Sequence, residues 1–258
     1  MATRDETGPT PPTVLLLRAE AAARRTAPVL ERAGFRACTA PLIENVARDP
    51  GPLPAFASWI ASSTALADTL GDDHVAILKR HPYAVVGQAT ASALRERTGR
   101  RPEFAAPAMR DLANEIASAS HKGCWPQGPV LDAGGVHRAF DPRDLLADAG
   151  LLHRPIVFYE ARETALDPKV EQNAAQGHYR VVWLSSPRIA RLAFERYRFS
   201  PSTRFVAIGK GAQKEALRHG VAVYLAPTPD MDGMVTATRA AVAADATRSR
   251  QPTGGAAV

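Results

Sequence analysis

Small polar residues and glycines follow short apolar runs at four places in the chain, and each precedes a segment of helix-forming composition. Serine hydroxyls and the free backbone amides at a helix N-terminus hydrogen-bond well to anionic groups. We therefore expect these turns to bind carboxylates, although small residues also serve simply to permit a tight strand-to-helix turn. The four turns contain Ser62-Ser63, Gly87, Ser185-Ser186 and Gly209.

No familiar catalytic or cofactor-binding motif accompanies these turns. The 7 histidines show no spacing that places two ligands on one helical turn. No glycine pattern matches a phosphate-binding loop or a dinucleotide fingerprint, and there is no Gly-x-Ser-x-Gly nucleophile elbow. The sequence thus predicts neither a metal site nor an organic cofactor, and it disfavours serine hydrolysis.

The composition is that of a basic globular protein. The chain has 258 residues, 45% of them hydrophobic, with 32 Lys and Arg against 26 Asp and Glu. The positive balance favours an acidic ligand, whereas scattered basic residues and 6% aromatic content do not favour a nucleic-acid groove. Two isolated cysteines, Cys38 and Cys124, and the lack of an apolar stretch that could span a bilayer predict a cytoplasmic protein.

The elements that position the turns alternate between strand and helix. The apolar run Thr13–Arg18 is typical of a strand buried on both faces, and a helix is predicted over Ala19–Ala33, ended by Gly34. This alternation predicts an α/β fold with parallel sheets. Further strands are predicted at Trp59–Ala61, Ala84–Val86, Val130–Leu131, Val181–Leu184 and Phe205–Ile208.

The turns repeat along the chain, which indicates an internal duplication. Ser62-Ser63 matches Ser185-Ser186, and Val86-Gly87 matches Ile208-Gly209, each after about 120 residues. Two similar α/β units commonly bind a ligand beyond the carboxyl ends of their strands, where these serines and glycines lie. Their recurrence in both halves therefore strengthens the expectation of ligand contact.

Several segments, taken in order, resemble the uroporphyrinogen-III synthase family. Each segment alone is weakly diagnostic, but their order and spacing from about Val14 to Ala243 are fairly specific. The segments are Arg18, Leu42-Ile43-Glu44, Ser62-Ser63, Val86-Gly87-Gln88-Ala89-Thr90, Val157-Phe158-Tyr159-Glu160, Ser185-Ser186-Pro187 and Ile208-Gly209.

The resemblance implies two flavodoxin-like, doubly wound, parallel-sheet domains joined by a two-stranded linker. A discontinuous domain would comprise residues 1–36 plus 167–247, and an inserted domain residues 49–154. Residues 37–48 and 155–166 would be the linker strands. Residues 1–12 and 248–258 are expected to be disordered tails, because they are polar or rich in Pro, Gly and Ala.

The resemblance also implies an activity, the cofactor-free cyclisation of hydroxymethylbilane to uroporphyrinogen III with inversion of the terminal pyrrole ring and loss of water. The partner would be this linear tetrapyrrole, a polycarboxylate, bound by a monomer that contacts neither nucleic acid nor membrane. Tyr159 matches the family's cleft tyrosine and is the expected catalytic residue. The expected substrate-binding residues are Arg18, Ser62, Ser63, Gly87, Gln88, Thr90, Ser185, Ser186, Gly209 and Lys210.

Alternatives remain open on the sequence alone. Tyr159 is otherwise a strand tyrosine that packs against the linker, and Thr90 is otherwise a helix cap. Two positions depart from the family pattern, Ala212 in place of threonine and an expected turn at Asp132–Gly135 that brings an acidic residue toward an anionic substrate. The competing functions are a non-enzymatic two-domain binding protein or sensor for an anionic metabolite, and a different enzyme that acts on a phosphorylated substrate.

Overall fold

The computed structural model describes residues 10–248, which fold into two compact units. The first, called here the terminal unit, contains the residues up to Glu44 and those from Glu163 onward. The second, the inserted unit, is Asn45–Arg162. The elements in chain order are β1 (Thr13–Leu16), α1 (Glu20–Arg32), β2 (Arg36–Thr39), β3 (Ile43–Ala47), β4 (Ser58–Ala61), α2 (Thr64–Thr69), α3 (Asp72–Leu78), β5 (Tyr83–Val86), α4 (Gln88–Thr98), β6 (Phe104–Ala106), α5 (Met109–His121), β7 (Val130–Gly135), α6 (Arg143–Ala147), β8 (His153–Glu163), α7 (Pro168–Ala175), β9 (Val181–Leu184), α8 (Pro187–Arg196), β10 (Arg204–Ala207), α9 (Lys210–Arg218), β11 (Tyr224–Leu225) and α10 (Met231–Arg248).

The terminal unit is built on a parallel sheet with the order β11-β10-β9-β1-β2. Numbered along the chain, these strands have the order 2-1-3-4-5 of flavodoxin-like folds. The interior strand β1 lies between β9 and β2 and is wholly apolar after its first residue, and Val14, Leu15 and Leu16 are fully buried. They contribute to two clusters, since Leu15 packs with α8 and α9 residues and Val14 and Leu16 pack with α1 and α10 residues. Helices therefore cover both faces of the sheet.

The inserted unit has the strand order β3-β8-β7-β4-β5-β6, in which β4 to β8 pair in parallel. The added edge strand β3 runs antiparallel to β8, as backbone hydrogen bonds from Arg48 N to Phe158 O (2.8 Å) and from Thr164 N to Leu42 O (3.2 Å) indicate. The central strand β4 contains Trp59 and Ile60, which are fully buried on opposite faces. The α/β class with doubly wound parallel sheets is confirmed.

The two sheets have the same arrangement in different chain orders. The terminal sheet read as β2-β1-β9-β10-β11 corresponds strand by strand to the inserted sheet read as β8-β7-β4-β5-β6. The serine pairs that match in sequence follow the equivalent strands β9 and β4, and the matching glycines follow β10 and β5. The duplication seen in the sequence is therefore a permuted repeat of one α/β arrangement.

The helices that follow β1 and β7 end in the same way. Gly34 and Gly150 both adopt positive φ angles, 88° and 73°, which only glycine takes without strain. In each case the next residue, Phe35 or Leu151, returns a hydrogen bond to a carbonyl five residues earlier and is buried. Gly34 thus has the helix-ending role that the sequence predicted.

One local expectation was wrong. Asp132–Gly135, expected to form a turn, makes up the last four of the 6 residues of strand β7 and pairs with Pro155 to Tyr159 of β8. The polar carboxylate does not interrupt the strand because its side chain is buried against Arg138 and His153.

The domain boundaries predicted at residues 36, 49, 154 and 167 stay predictions. In the structure, the chain passes from one compact unit to the other after Glu44 and after Arg162. Most of the predicted tails, residues 1–9 and 249–258, lie outside the described residues. Pro12, placed in a tail by the prediction, accepts a hydrogen bond from Arg36 N at 3.0 Å. Arg248 is the last residue of α10.

Candidate active site

Tyr159 lies on β8 beside an irregularity in the β7–β8 pairing. Gly134 pairs with Val157 and Gly135 with Tyr159, so that Phe158 is an extra residue on β8. A bulge of this kind changes the direction of the following side chain. Val136 N continues the pairing by donating to Tyr159 O at 3.1 Å. Tyr159 is consequently held at the end of β7 rather than in the regular part of the sheet.

The phenol of Tyr159 is held in its protonated form. Burial raises its pKa above 10.0, because the phenolate would lose hydration. Smaller effects of the Ser63 side chain, the Arg138 guanidinium and the Gly135 backbone lower the pKa, and Asp132 raises it. Tyr159 is only 9% exposed. The group can therefore donate a proton or a hydrogen bond at neutral pH.

Ser62 and Ser63 follow β4 at the same edge of the inserted sheet. Ser62 is exposed, whereas Ser63 is the N-cap of α2, with its hydroxyl accepting a hydrogen bond from Ala65 N at 3.1 Å. A capping oxygen already satisfied in this way still has an accessible proton to donate. Ser63 also influences the Tyr159 phenol, so the structure brings these two predicted residues together.

The next turn along the same edge contains Gly87, Gln88 and Thr90. Gly87 is the N-cap of α4 and has a φ of 81°, which explains why glycine occupies this turn. Gln88 is exposed as the first residue of α4. Thr90 lies inside the helix and is only 4% exposed, so the alternative that it caps the helix is wrong.

In the inserted unit these turns form a continuous series. The neighbouring strands β7, β4 and β5 end near Gly135, Ser63 and Gly87 respectively, and Tyr159 of β8 pairs with Gly135 at the end of β7. Carboxyl ends of parallel strands share one edge of a sheet, which is where α/β proteins bind ligands. These residues therefore lie along one edge of the sheet, and the Tyr159 phenol lies at the β8 end of the series.

The terminal unit presents an equivalent series after β1, β9 and β10. Ser185 is half-buried, and Ser186 caps α8 by accepting a hydrogen bond from Ile189 N at 3.2 Å. Gly209 precedes α9 with an extended φ of −168°, and Lys210 is the exposed first residue of that helix. Arg18 follows β1 and donates to Thr26 Oγ1 of α1 at 3.2 Å. Hydroxyls, amides and two cationic side chains thus occupy the carboxyl edge of this sheet.

Sequence reasoning missed a buried polar cluster next to Tyr159. Asp132, whose side chain is 2% exposed, pairs with Arg138 Nε at 3.0 Å and with His153 Nε2 at 3.2 Å. The acidic residue expected to repel an anionic substrate is therefore neutralised inside the unit. The consecutive glycines Gly134 and Gly135 within a strand are the one sequence signal that could have indicated the bulge.

A cavity of about 750 Å³ in the terminal unit contains none of the predicted site residues. Its walls come from the segments before β10 and before β11, which are the amino ends of these strands. It therefore lies at the edge of the sheet opposite to Ser186 and Gly209. Within residues 10–248 no cluster of three or more His, Cys, Asp or Glu side chains is suited to a metal ion.

Comparison with known proteins decides the family. The model of the family described as uroporphyrinogen-III synthase HemD matches residues 24–236. This chain belongs to the uroporphyrinogen-III synthase family. The resemblance stated from the sequence is thereby confirmed, and the family implies an enzyme of tetrapyrrole biosynthesis with a small-molecule tetrapyrrole substrate.

Solved members of the uroporphyrinogen-III synthase family share the fold. A uroporphyrinogen-III synthetase from Helicobacter pylori is 18% identical with a TM-score of 0.61, covering 89% of this chain and 99% of the other. A mutant uroporphyrinogen III synthase from Thermus thermophilus is 15% identical with a TM-score of 0.51, covering 90% and 99%. No curated protein matches in sequence. Among the described helices none is both long and apolar enough to cross a membrane.

Proposed function

We propose that this protein is a lyase that cyclises hydroxymethylbilane to uroporphyrinogen III, with loss of water and inversion of the terminal pyrrole ring. The observation that carries the proposal is a protonated, buried Tyr159 at the carboxyl edge of the inserted sheet in a chain of this family. The reaction requires departure of a hydroxyl group, and a neutral phenol is an appropriate acid for it.

In this proposal Tyr159 donates a proton or a hydrogen bond to the departing hydroxyl, so that the carbon–oxygen bond breaks and water leaves. A spirocyclic intermediate then forms at the terminal ring, which is released inverted. Burial of the phenol supports this role, because an acid that stayed ionised could not assist the departure. Ser63, which influences the same phenol, is suited to orient it.

The substrate's carboxylates need partners other than Tyr159. We assign this binding to Arg18, Lys210 and the two series of turn hydroxyls and amides at the strand ends. The N-termini of α4, α8 and α9 add partial positive charge to these turns. The assignment also includes Ser62, Ser63, Gly87, Gln88, Thr90, Ser185, Ser186 and Gly209.

Product analysis tests the function directly. Hydroxymethylbilane also closes spontaneously without inversion, which gives the type I isomer. The purified protein should therefore convert it mainly to the type III isomer, whereas in the presence of heat-inactivated protein only the type I isomer should form. Chromatographic separation of the two isomers after oxidation distinguishes these outcomes. Formation of type I alone, at the uncatalysed rate, would exclude the proposed activity.

The physical state of the enzyme belongs to the same proposal. We expect a cytoplasmic monomer that needs neither a metal nor an organic cofactor, and light scattering coupled to gel filtration measures the mass against that of one chain of 27.6 kDa. A concentration-independent mass near twice this value would contradict the monomer.

A further inference from the structure

Arg138 makes four hydrogen bonds that connect strands β7 and β8. Its Nε donates to Asp132 Oδ2 at 3.0 Å, and one terminal nitrogen donates to Gly135 O at 3.0 Å. The other terminal nitrogen donates to Asp132 O at 3.2 Å and to Ile156 O at 3.0 Å. One planar guanidinium thus fixes two positions of β7 and one of β8.

The acceptors flank the bulge that sets the position of Tyr159. Ile156 O lies before the extra residue Phe158 on β8, and Gly135 is the β7 residue paired with Tyr159. Pairing is disturbed at a bulge, and backbone carbonyls there need donors from elsewhere. Arg138 supplies these donors from a side chain that is 20% exposed.

Asp132 keeps the guanidinium in this orientation. Its buried carboxylate is shared between Arg138 and His153, and the side chain of His153 is likewise 2% exposed. A carboxylate buried to this extent needs a partner of opposite charge, so the Asp132–Arg138 pair is held together by the cost of separating it.

We propose that Arg138 is a positioning residue for Tyr159. It fixes the β7–β8 bulge so that the phenol is held at the carboxyl edge of the inserted sheet, and Asp132 is the buried counter-ion of Arg138. The inference rests on the catalytic role proposed for Tyr159. It goes further by assigning a function to a side chain that the family resemblance did not mark.

The test uses the full chain labelled with ¹³C at the ζ carbon of tyrosine, so that each phenol gives one resonance that titrates with pH. Tyr159→Phe assigns the Tyr159 resonance by its loss. Arg138→Lys keeps the positive charge but lacks the planar fork, Arg138→Met removes both, and Asp132→Asn removes the negative charge while keeping acceptors.

Opposite effects are expected for the two members of the pair. The pKa of Tyr159 should rise in Arg138→Met and fall in Asp132→Asn, because Arg138 lowers it and Asp132 raises it. Arg138→Lys should move the resonance and lower kcat by about 10- to 100-fold with little change in KM, since small misplacements impair chemistry more than binding. Because removal of either charge would by itself shift the pKa in these directions, the decisive variant is Arg138→Lys, which keeps the positive charge and lacks the planar fork.

Arg100→Met is the matched control. Arg100 also pairs with a carboxylate, Glu103, and donates to two carbonyls, those of Lys79 and His81, in the same unit. It should lower stability without moving the Tyr159 resonance.

An unchanged Tyr159 resonance and unchanged kcat in folded Arg138→Lys would overturn the inference, which therefore does not depend on whether Arg138→Met folds. A Tyr159 resonance that moves in Arg138→Lys, which keeps the charge, supports it even if Tyr159→Phe kept wild-type turnover. That last result would contradict the catalytic role of Tyr159 instead.

Discussion

Gly135 leaves the space that the ring of Tyr159 occupies. The two residues pair across β7 and β8, and a β-carbon at position 135 would lie 2.6 Å from Tyr159 Cε2 and 2.9 Å from its Cζ. Contacts this short do not occur between real side chains. The φ of Gly135 is not in the left-handed region, so the need for glycine here is one of space and not of backbone conformation.

Gly135→Ala should therefore displace Tyr159. We expect a loss of about 1–3 kcal/mol in the free energy of unfolding, as is usual for overpacking, together with a fall in kcat. Urea denaturation and steady-state kinetics measure the two effects. Gly71→Ala is the control, because its new methyl group would meet only His74 Nδ1, at 3.9 Å.

A double-mutant cycle identifies the cause. If the ring is what the methyl group strikes, Gly135→Ala should destabilise the Tyr159→Leu background less than the wild type. Equal losses in both backgrounds would show that the methyl group conflicts with something else.

Ser63→Ala and Ser186→Ala separate helix capping from a role at the phenol. Each serine caps a helix through one backbone amide, so each substitution should lower the free energy of unfolding by about 1 kcal/mol. Only Ser63→Ala should raise the pKa of Tyr159 further, because Ser63 is among the groups that lower it. Denaturation curves and tyrosine titration provide the two readouts, and an unchanged Tyr159 pKa in Ser63→Ala would argue that Ser63 is a cap alone.

Features that depend on neighbours in sequence were predictable. The helix end at Gly34 follows from the residue types themselves, as do the short buried strands Val181–Leu184 and Trp59–Ala61. The α/β class with parallel sheets follows from the alternation of strand and helix, and the duplication follows from the repeated spacing. None of these features requires knowledge of distant contacts. The doubly wound, flavodoxin-like arrangement of the two domains was instead implied by the family resemblance.

The surroundings of Tyr159 were not predictable in the same way. The sequence from Asp132 to Gly135 has turn composition, and its conversion into a buried strand depends on Arg138 and on His153, 21 residues further along. The Gly135–Tyr159 pair is likewise separated by a helix and a connecting segment. Such contacts are set by how the strands meet, so the sequence alone placed an acidic residue toward the substrate.

The free energy of unfolding should decrease at alkaline pH. Burial raises the pKa of Tyr179 and of Tyr197 to about 12, while both ionise near 10.0 when exposed. The unfolded chain therefore releases these protons at lower pH than the folded chain does. The contribution of the two protonated phenols to the free energy of unfolding is thus fully present below pH 10 and is lost as the pH rises toward 12. Urea denaturation at pH 9 and pH 11 measures the difference.

Tyr197→Phe checks the origin of this decrease. Removing one of the two phenols should make the change between pH 9 and pH 11 smaller than in the wild type. An identical change in both proteins would mean that ionisation of Tyr197 is not linked to unfolding.

Turnover should survive removal of divalent metals. The proposed reaction uses a phenol, hydroxyls, amides and cationic side chains, none of which needs a metal to act. Dialysis against a chelator should leave the rate of type III formation unchanged, with a zinc-dependent hydrolase treated in parallel to show that chelation worked. Loss of activity that a divalent cation restores would contradict this prediction.

Tyr159→Phe removes one oxygen and leaves a ring of the same shape beside Gly135, so folding should change little. Positioned acid catalysis contributes about 100- to 10,000-fold, and kcat should fall by a factor in that range. KM should change much less, because the carboxylates of the substrate are assigned to Arg18, Lys210 and the turns of both sheets, which the substitution leaves in place. Steady-state kinetics with isomer separation gives both quantities.

The isomer ratio distinguishes an acid from a group that shapes the substrate. If Tyr159 only assists departure of the hydroxyl, the slow residual reaction should still give mostly type III product, with some type I from spontaneous closure in solution. A phenol that instead holds the terminal ring for inversion would give mainly type I at a nearly normal rate of substrate consumption. Wild-type turnover in folded Tyr159→Phe, with a loss in Ser63→Ala, would move the catalytic assignment to the turn after β4. That turn lies at the same sheet edge, and the Ser63 hydroxyl in it is a proton donor that acts on the phenol.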